Sequence, residues 1–351
     1  MSGSDPVPLP LAVTVGEPAG IGGEITLKAW LGRHPPGPSP DVPAFYVPPF
    51  YVIDDPDRLA ALAARLDWPV PVRAIDTPAE ASETFPAALP VVPIGTKLRG
   101  RAGEPDPADT PAIIGAIATA VADVQAGRAA ALVTNPVHKE SLYRGGFHHP
   151  GHTEYLAELA GAGAIPVMML VCPQLRVVPV TIHLALRQAI ATLSTARIVV
   201  AGRVTAAALK HEFGIARPVL AVAGLNPHAG EAGALGCEEI EIVAPAIAEL
   251  RALGIDARGP LAADTMFHAE ARHSYDAALC MYHDQALIPI KTLDFDGSVN
   301  VTLGLPFVRT SPDHGTAFAI AGTGAAREGS LVAALRLAAE MAARRRQPQP
   351  R

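Results

Sequence analysis

Three histidines each follow an apolar run. Val177-Val178-Pro179-Val180-Thr181-Ile182 leads into His183, Val219 through Pro227 leads into His228, and Ala277 through Tyr282 leads into His283. Each run has the make-up of a buried strand, so each imidazole is delivered at a strand's C-terminal end, where ligands bind in open α/β sheets. Neutral imidazoles suit zinc or another divalent transition metal and leave a coordination position open for water or substrate. Taken singly, each histidine reads equally well as a hydrogen-bonded loop or core residue; the recurrence is what favours a shared site. The wide spacing also allows ligands to come from two subunits. Asp264 and Asp284 are the acidic neighbours, suited to take a proton from a metal-bound hydroxyl or to hold a ligating imidazole. Asp264, shortly after Gly259, reads equally as the N-cap of a short helix.

A second chemistry is anion binding. Pro150-Gly151-His152-Thr153-Glu154 opens a helix, where free backbone N–H groups attract an anion and His152 and Thr153 add donors. Thr153 reads also as a plain N-cap. Lys291, Asn300 and Arg309 stand in an otherwise apolar, glycine-rich stretch, and such isolated cations are either ion-paired or aimed at an anionic ligand. The segment Gly16-Glu17-Pro18-Ala19-Gly20-Ile21-Gly22-Gly23-Glu24 follows the first strand. Its glycine spacing fits neither G-x-G-x-x-G nor a P-loop, which leaves a tight turn or a ligand-lining loop. Asp313-His314-Gly315 belongs to another small-residue loop near the C-terminus.

These residues need a scaffold. At roughly 150 residues per domain, 351 residues make about two domains. Short β-rich runs alternate with Ala/Leu-rich runs of helical period, which predicts an α/β protein with largely parallel sheets. Strands are expected at 11–15, 50–53, 130–134, 167–171, 177–182, 219–223 and 277–281, with a hairpin near Pro173. Helices are expected at 20–31, 56–66, 110–126, 151–160, 189–213, 238–253 and 330–346. His34 to Pro49 reads as a proline-rich excursion, and Ala81 to Asp109 as loops with an edge strand. The hydrophobic fraction of 49% excludes a disordered chain, and a net charge of −6 excludes a globally basic nucleic-acid binder. Three scattered cysteines, Cys172, Cys237 and Cys280, are too few for a disulfide framework and fit a reducing cytoplasm. No apolar run approaches the roughly 20 residues that span a bilayer, and the N-terminus has no basic-then-apolar leader, so neither membrane nor export is expected.

The ordered motifs GEPAGIG (16–22), TNPVHK (134–139), PGHTE (150–154), GLNPHAGE (224–231), GP-x-x-ADT-x-F (259–267), MYHDQ (281–285), VNVTLGLPFVRTS (299–311) and DHGTA (313–317) run through most of the chain. In them the sequence resembles the 4-hydroxythreonine-4-phosphate dehydrogenase family of pyridoxal-phosphate biosynthesis. The resemblance implies an isocitrate/isopropylmalate-dehydrogenase-like fold of two α/β/α domains with the active site in the cleft between them. The cofactor domain would comprise 1–130 plus 298–351, and the metal, substrate and dimerisation domain 131–297. It implies NAD or NADP bound without a Rossmann fingerprint, which makes Gly16, Gly20, Asp313, His314 and Gly315 the candidate cofactor contacts. It implies one divalent ion (zinc, magnesium or cobalt) on His183, His228 and His283, and a homodimer with shared active sites. A small phosphorylated amino-acid substrate, 4-phosphooxy-L-threonine, would be gripped by His152, Thr153, Lys291, Asn300 and Arg309. Asp264, Asp284 and Lys291 are the candidates for proton transfer. The implied product is 2-amino-3-oxo-4-phosphooxybutanoate, which decarboxylates to 3-amino-2-oxopropyl phosphate. The sequence departs from the commonest family pattern at Gly23, Ile182, Ala185, Ala286 and Ala319, none of them an expected ligand.

Two kinds of alternative stand beside this. Within the class, related enzymes oxidise phosphorylated threonate, erythronate or a cyclic diol. Outside it, three histidines with nearby aspartates suit a metal-dependent phosphohydrolase, although no D-x-H-like carboxylate cluster accompanies them. A non-catalytic anion binder on the same scaffold is a third reading.

Overall fold

The computed structural model describes residues 8–33, 47–149 and 151–347. Most of the proline-rich excursion, 34–46, and Pro150 lie outside the described residues. The strands are β1 (Leu11–Thr14), β2 (Phe50–Asp54), β3 (Val72–Ala74), β4 (Leu89–Pro93), β5 (Leu132–Thr134), β6 (Val167–Cys172), β7 (Leu175–Pro179), β8 (Val219–Ala223), β9 (Asp256–Leu261), β10 (Ala277–Cys280), β11 (Val299–Leu303) and β12 (Arg309–Pro312). The chain divides into two compact units, 1–164 with 305–343, and 165–304 with 344–351.

In the first unit the strand order is β3-β4-β2-β1-β5-β12, every neighbouring pair parallel. Parallel strands covered on both faces need continuous apolar runs, and β1 (LAVT) and β2 (FYVID) are buried at every residue. Helix Thr110–Gln125 places Ile113, Ala116, Ile117, Ala120 and Val121 on one stripe against β1, β2 and β5. Helix Pro56–Arg65 starts with proline in its first turn, and its cap, Asp55, accepts from the backbone N–H groups of Asp57 and Arg58.

In the second unit the order is β11-β6-β7-β10-β8-β9. The run β7-β10-β8-β9 is parallel, while β6 pairs antiparallel with both β7 and β11. The hairpin expected near Pro173 is the β6–β7 connection. Leu170, Val177, Ala221, Ala278 and Cys280 pack there with Ile290 of helix His283–Leu293.

The structure departs from expectation in ways that have physical causes. Within the stretch 81–109, expected to be loops with an edge strand, β4 lies inside its sheet, and the edge is the short, mostly exposed β3. The strands β9 (DARGPL) and β12 (RTSP) carry almost no apolar residues, so periodicity cannot announce them. The helical run at 189–213 is two helices, Leu186–Thr192 and Thr195–His211, bent by 91°, with Ser194 capping the second. Among the described residues no single helix is long and apolar enough to cross a membrane. The unit boundaries fall near 164 and 304 rather than at 130 and 297. Strand β5 pairs with β1 and β12, which draws residues 131–164 into the first unit, and β11 pairs with β6, which draws 299–303 into the second.

Candidate functional site

Parallel strands β7, β10, β8 and β9 lie side by side, so their C-terminal ends fall on one end of the second unit's sheet. Read across it, these ends lead to His183, His283, His228 and Asp264 in turn. Neighbouring strands sit about 4.8 Å apart, and the His183 and His283 rings are 5.8 Å apart between centroids, a spacing two imidazoles on one cation can adopt. His283 Nδ1 donates to Asp284 Oδ1 at 2.6 Å, which leaves Nε2 as the nitrogen for a metal, the usual carboxylate–imidazole arrangement. The two rings line a cavity of about 220 Å³ with Thr181, Leu184, Leu186, Ala189, Tyr282 and Asp284.

His228 is held differently. Residues 228–232 all have positive φ, from 44° to 79°, four of them non-glycine, an uncommon and costly backbone. Buried Glu239 pins the loop: Oε1 accepts from the backbone N–H of Asn226 at 2.7 Å and Oε2 from its side-chain amide at 2.9 Å. Glycine is required at 230, since φ is +79° and a Cβ would lie 2.5 Å from Glu239 Oε2. Within one chain, therefore, His183 and His283 meet, while among the described residues no three His, Cys, Asp or Glu side chains form a metal-holding group. The donor chemistry fits a divalent transition metal, but a single chain does not complete the three-imidazole set. Asp264 sits exposed inside the short turn Ala263–Thr265, whose cap is Ala262, so the N-cap reading is corrected.

Two further side chains hold these strand ends, and sequence reasoning missed them. Thr181 Oγ1 donates to Met281 O at 2.8 Å, joining the ends of β7 and β10. Gln285 Oε1 accepts from Met281 N at 2.6 Å while its Nε2 donates to Gly224 O at 2.7 Å, joining β10 and β8. Lys291 stands in the last turn of helix His283–Leu293 with its ammonium 5.1 Å from the Phe295 ring centre. Asn300 lies half-buried on β11, opposite Leu170.

The first unit holds the other expected residues, with Arg309 at the start of β12 and Thr134 at the end of the neighbouring parallel strand β5. Buried Arg309 of β12 donates through Nη2 to Thr134 Oγ1 of β5 at 2.6 Å and reaches His152 Nδ1 at 3.5 Å. Burial pushes the guanidinium down to about 10, so it remains charged at neutral pH. Burial first, then Arg309 and Lys139, hold the His152 imidazole well below its usual range and therefore neutral. With Nδ1 facing a donor, Nε2 carries the hydrogen, and Nε2 is sealed from solvent with no partner among the described residues. A charged guanidinium beside an unused N–H donor at the start of helix His152–Ala160 is suited to an oxyanion. Gly151, not Thr153, is the cap of that helix. Lys139 and Thr134 belong to this corner but were not among the expected site residues; their place in the TNPVHK motif was the available clue.

The loops after β1, β5 and β12 pack on one another: Glu17 N donates to Pro136 O at 2.8 Å and Ile21 N to Thr316 O at 3.0 Å. A Cβ at Gly16 would meet Pro136 O at 2.7 Å, and one at Gly20 would meet Thr316 O at 2.9 Å. These glycines serve loop–loop contact, whereas Gly315 faces open space where a ligand can lie against the backbone. Asp313 N donates to Ser330 Oγ at 3.0 Å, and His314 Nδ1 lies 3.0 Å from Gly315 O. Burial raises the Glu17 carboxyl to about 7, against the Ala19 N–H it accepts from; its Oε2 has no partner among the described residues.

The family described as "Pyridoxal phosphate biosynthetic protein PdxA" matches residues 47–338. A 4-hydroxythreonine-4-phosphate dehydrogenase of Bradyrhizobium diazoefficiens is 56% identical over 95% of this chain and 97% of its own length. One from Caulobacter vibrioides is 53% identical over 96% and 98%. Among solved structures, a 4-hydroxythreonine-4-phosphate dehydrogenase of Klebsiella pneumoniae superposes with a TM-score of 0.81 at 40% identity, covering 95% of this chain and 99% of that one. A terephthalate 1,2-cis-dihydrodiol dehydrogenase of Burkholderia xenovorans gives 0.61 at 28%, covering 95% and 98%.

Two predictions follow from the geometry. Gln285→Leu leaves Met281 N and Gly224 O buried without partners and should cost about 2–4 kcal/mol in urea unfolding; an unchanged midpoint would show that the amide is dispensable. For Glu17, a folded pKa raised from 4.5 to about 7 means the folded state binds the proton more tightly, so stability falls as pH rises through that window. Glu17→Gln should therefore gain on the native chain between those pH values, by on the order of 1–3 kcal/mol above neutrality, and show no gain at pH 4. Thermal melts across pH test this.

Proposed function

The chain belongs to the pyridoxal phosphate biosynthetic protein PdxA family, and on that premise we propose that it oxidises 4-phosphooxy-L-threonine to 2-amino-3-oxo-4-phosphooxybutanoate, which decarboxylates to 3-amino-2-oxopropyl phosphate. It is an enzyme of the dehydrogenase type, with NAD or NADP as oxidant and one divalent ion, and it works in the cytoplasm. The observation that carries this reading is the delivery of His183, His283 and His228 at adjacent ends of one parallel sheet, together with a buried guanidinium and an unused imidazole N–H in the first unit.

When bound, the nicotinamide takes up the hydride and the ion acidifies the substrate hydroxyl. Arg309 and the His152 Nε2–H grip the phosphate, with Thr153 and the first N–H groups of its helix as added donors. Lys291 and Asn300 are assigned the remaining polar groups of the substrate. His183 and His283 would hold the ion, with Asp284 fixing the His283 tautomer, a positioning role rather than that of a base. That leaves the exposed Asp264 and Lys291 as the candidate proton acceptors. The loops bearing Gly16, Gly20, Asp313, His314 and Gly315 are assigned to the cofactor, with Gly315 the closest approach.

The incomplete metal set supports a homodimer that shares its sites, the missing imidazole coming from a second copy. Leu184, Leu186 and Ile190 follow His183 closely in the chain, Ile288 lies on the helix that His283 opens, and all four are exposed, Ile288 at 64%. Such an apolar surround fits a partner chain.

Three outcomes are expected. The protein forms NADH or NADPH from 4-phosphooxy-L-threonine and stops when chelated; oxidation of a cyclic diol or of phosphorylated erythronate in preference would overturn the substrate. His152→Ala raises KM for the phosphorylated substrate roughly 10- to 100-fold, which steady-state kinetics would read. Ile288→Glu shifts sedimentation from dimer toward monomer and weakens metal retention together; loss of neither would remove the shared-site reading.

A further inference from the structure

The second unit has a larger cavity, about 750 Å³, that the dehydrogenase chemistry does not use. Much of its lining precedes the parallel strands β8 and β9, at the ends of those strands away from the histidines. Its walls are the helix Thr195–His211, Arg217 and Pro218 just before β8, and the Leu253-Gly254-Ile255-Asp256 turn leading into β9. Strand β8 therefore has this cavity at its start and the His228 loop beyond its end, with a rise of about 3.3 Å per residue separating them.

The helix contributes positions spaced as one face: Val200, Arg203, Val204, Ala207 and Lys210. Its apolar members form a floor with Ile255 and with Ile165 and Leu253, which are 50% and 54% exposed. Large apolar side chains left half-open around a concavity of this size are the lining of a small-molecule pocket. The rim is basic. Arg203, Lys210 and Arg217 are exposed and, among the described residues, engage in no hydrogen bond or ion pair. The one acid, Asp256, is already taken by Arg258, through Nε at 3.1 Å and Nη2 at 2.7 Å. Three uncommitted cations thus surround an apolar floor whose only carboxylate is neutralised.

We propose that this cavity binds a small amphipathic anion, an aromatic or branched apolar body bearing a carboxylate, sulfonate or phosphate, at a site separate from the dehydrogenase centre. The apolar body would lie on Val200, Val204 and Ile255, and the anionic group would reach Arg203, Lys210 and Arg217. Charge complementarity selects an anion, and the floor selects against a fully hydrated one such as inorganic phosphate.

The test uses the full-length protein and 8-anilinonaphthalene-1-sulfonate, which joins two aromatic groups to one sulfonate, with the uncharged N-phenyl-1-naphthylamine as its neutral counterpart. Fluorescence titration should give one saturable site per chain for the sulfonate, weakened by added salt. The Arg203→Glu/Lys210→Glu double variant should weaken it at least tenfold, and Ala207→Trp, which fills the floor, should abolish it. Circular dichroism melts confirm that each variant is folded, and two independent variants guard against loss of either. Non-saturable binding, equal affinity for the neutral probe, or binding unchanged by both variants would overturn the proposal, the last by placing the probe elsewhere on the protein.

Discussion

The side chain of Gln285 receives the backbone N–H of Met281 and gives a hydrogen bond to the carbonyl of Gly224. Those two groups end neighbouring parallel strands, and a sheet offers them no further partner once the chains diverge into loops. Thr181 does the same between β7 and β10. Buried backbone polar groups must be paired, so these two side chains both satisfy the strand ends and fix their separation. The imidazoles two to four residues further on inherit that separation. Glu239 then sets the path of the His228 loop, whose left-handed backbone would otherwise relax.

The first unit applies the same logic to a charge. Arg309 is carried into the interior by β12, and its cost of desolvation shows as a lowered guanidinium pKa. Thr134 and His152 receive only part of its donor capacity. Keeping His152 neutral prevents two adjacent cations from repelling each other while preserving an N–H for a ligand. On the proposed reading, charge and donor would be held in place before the phosphate arrives, the arrangement that loses least on binding.

Much of this could be read from residue order. The alternation of apolar strands with Ala/Leu-rich helices gave the α/β class, and the three histidines after strand runs do fall at one end of one sheet. The resemblance carried the assignment of His152 and Arg309 to anion binding, and they do stand together. What could not be read has physical reasons. The strands β9 and β12 are held by pairing with their neighbours rather than by their own hydrophobicity, so no pattern marks them. Thr181, Gln285 and Glu239 act through hydrogen bonds to backbone far away in sequence, which composition cannot express. The boundary near 164 depends on β5 pairing with β12, a contact between residues such as Leu132 and Arg309. That Asp264 caps no helix follows from the tightness of a three-residue turn, a detail below the reach of spacing.

That late-arriving strand has a bearing on how the polypeptide is born. Apart from a few residues at its C-terminus, the second unit is one uninterrupted stretch, 165–304, and it can collapse as soon as it leaves the ribosome. The first unit cannot seat its last strand until residue 312 has been made, although its other five were synthesised long before. During translation β5 therefore waits with an open hydrogen-bonding edge while the whole second unit is built, and that interval is when a nascent chain of this design most needs a chaperone.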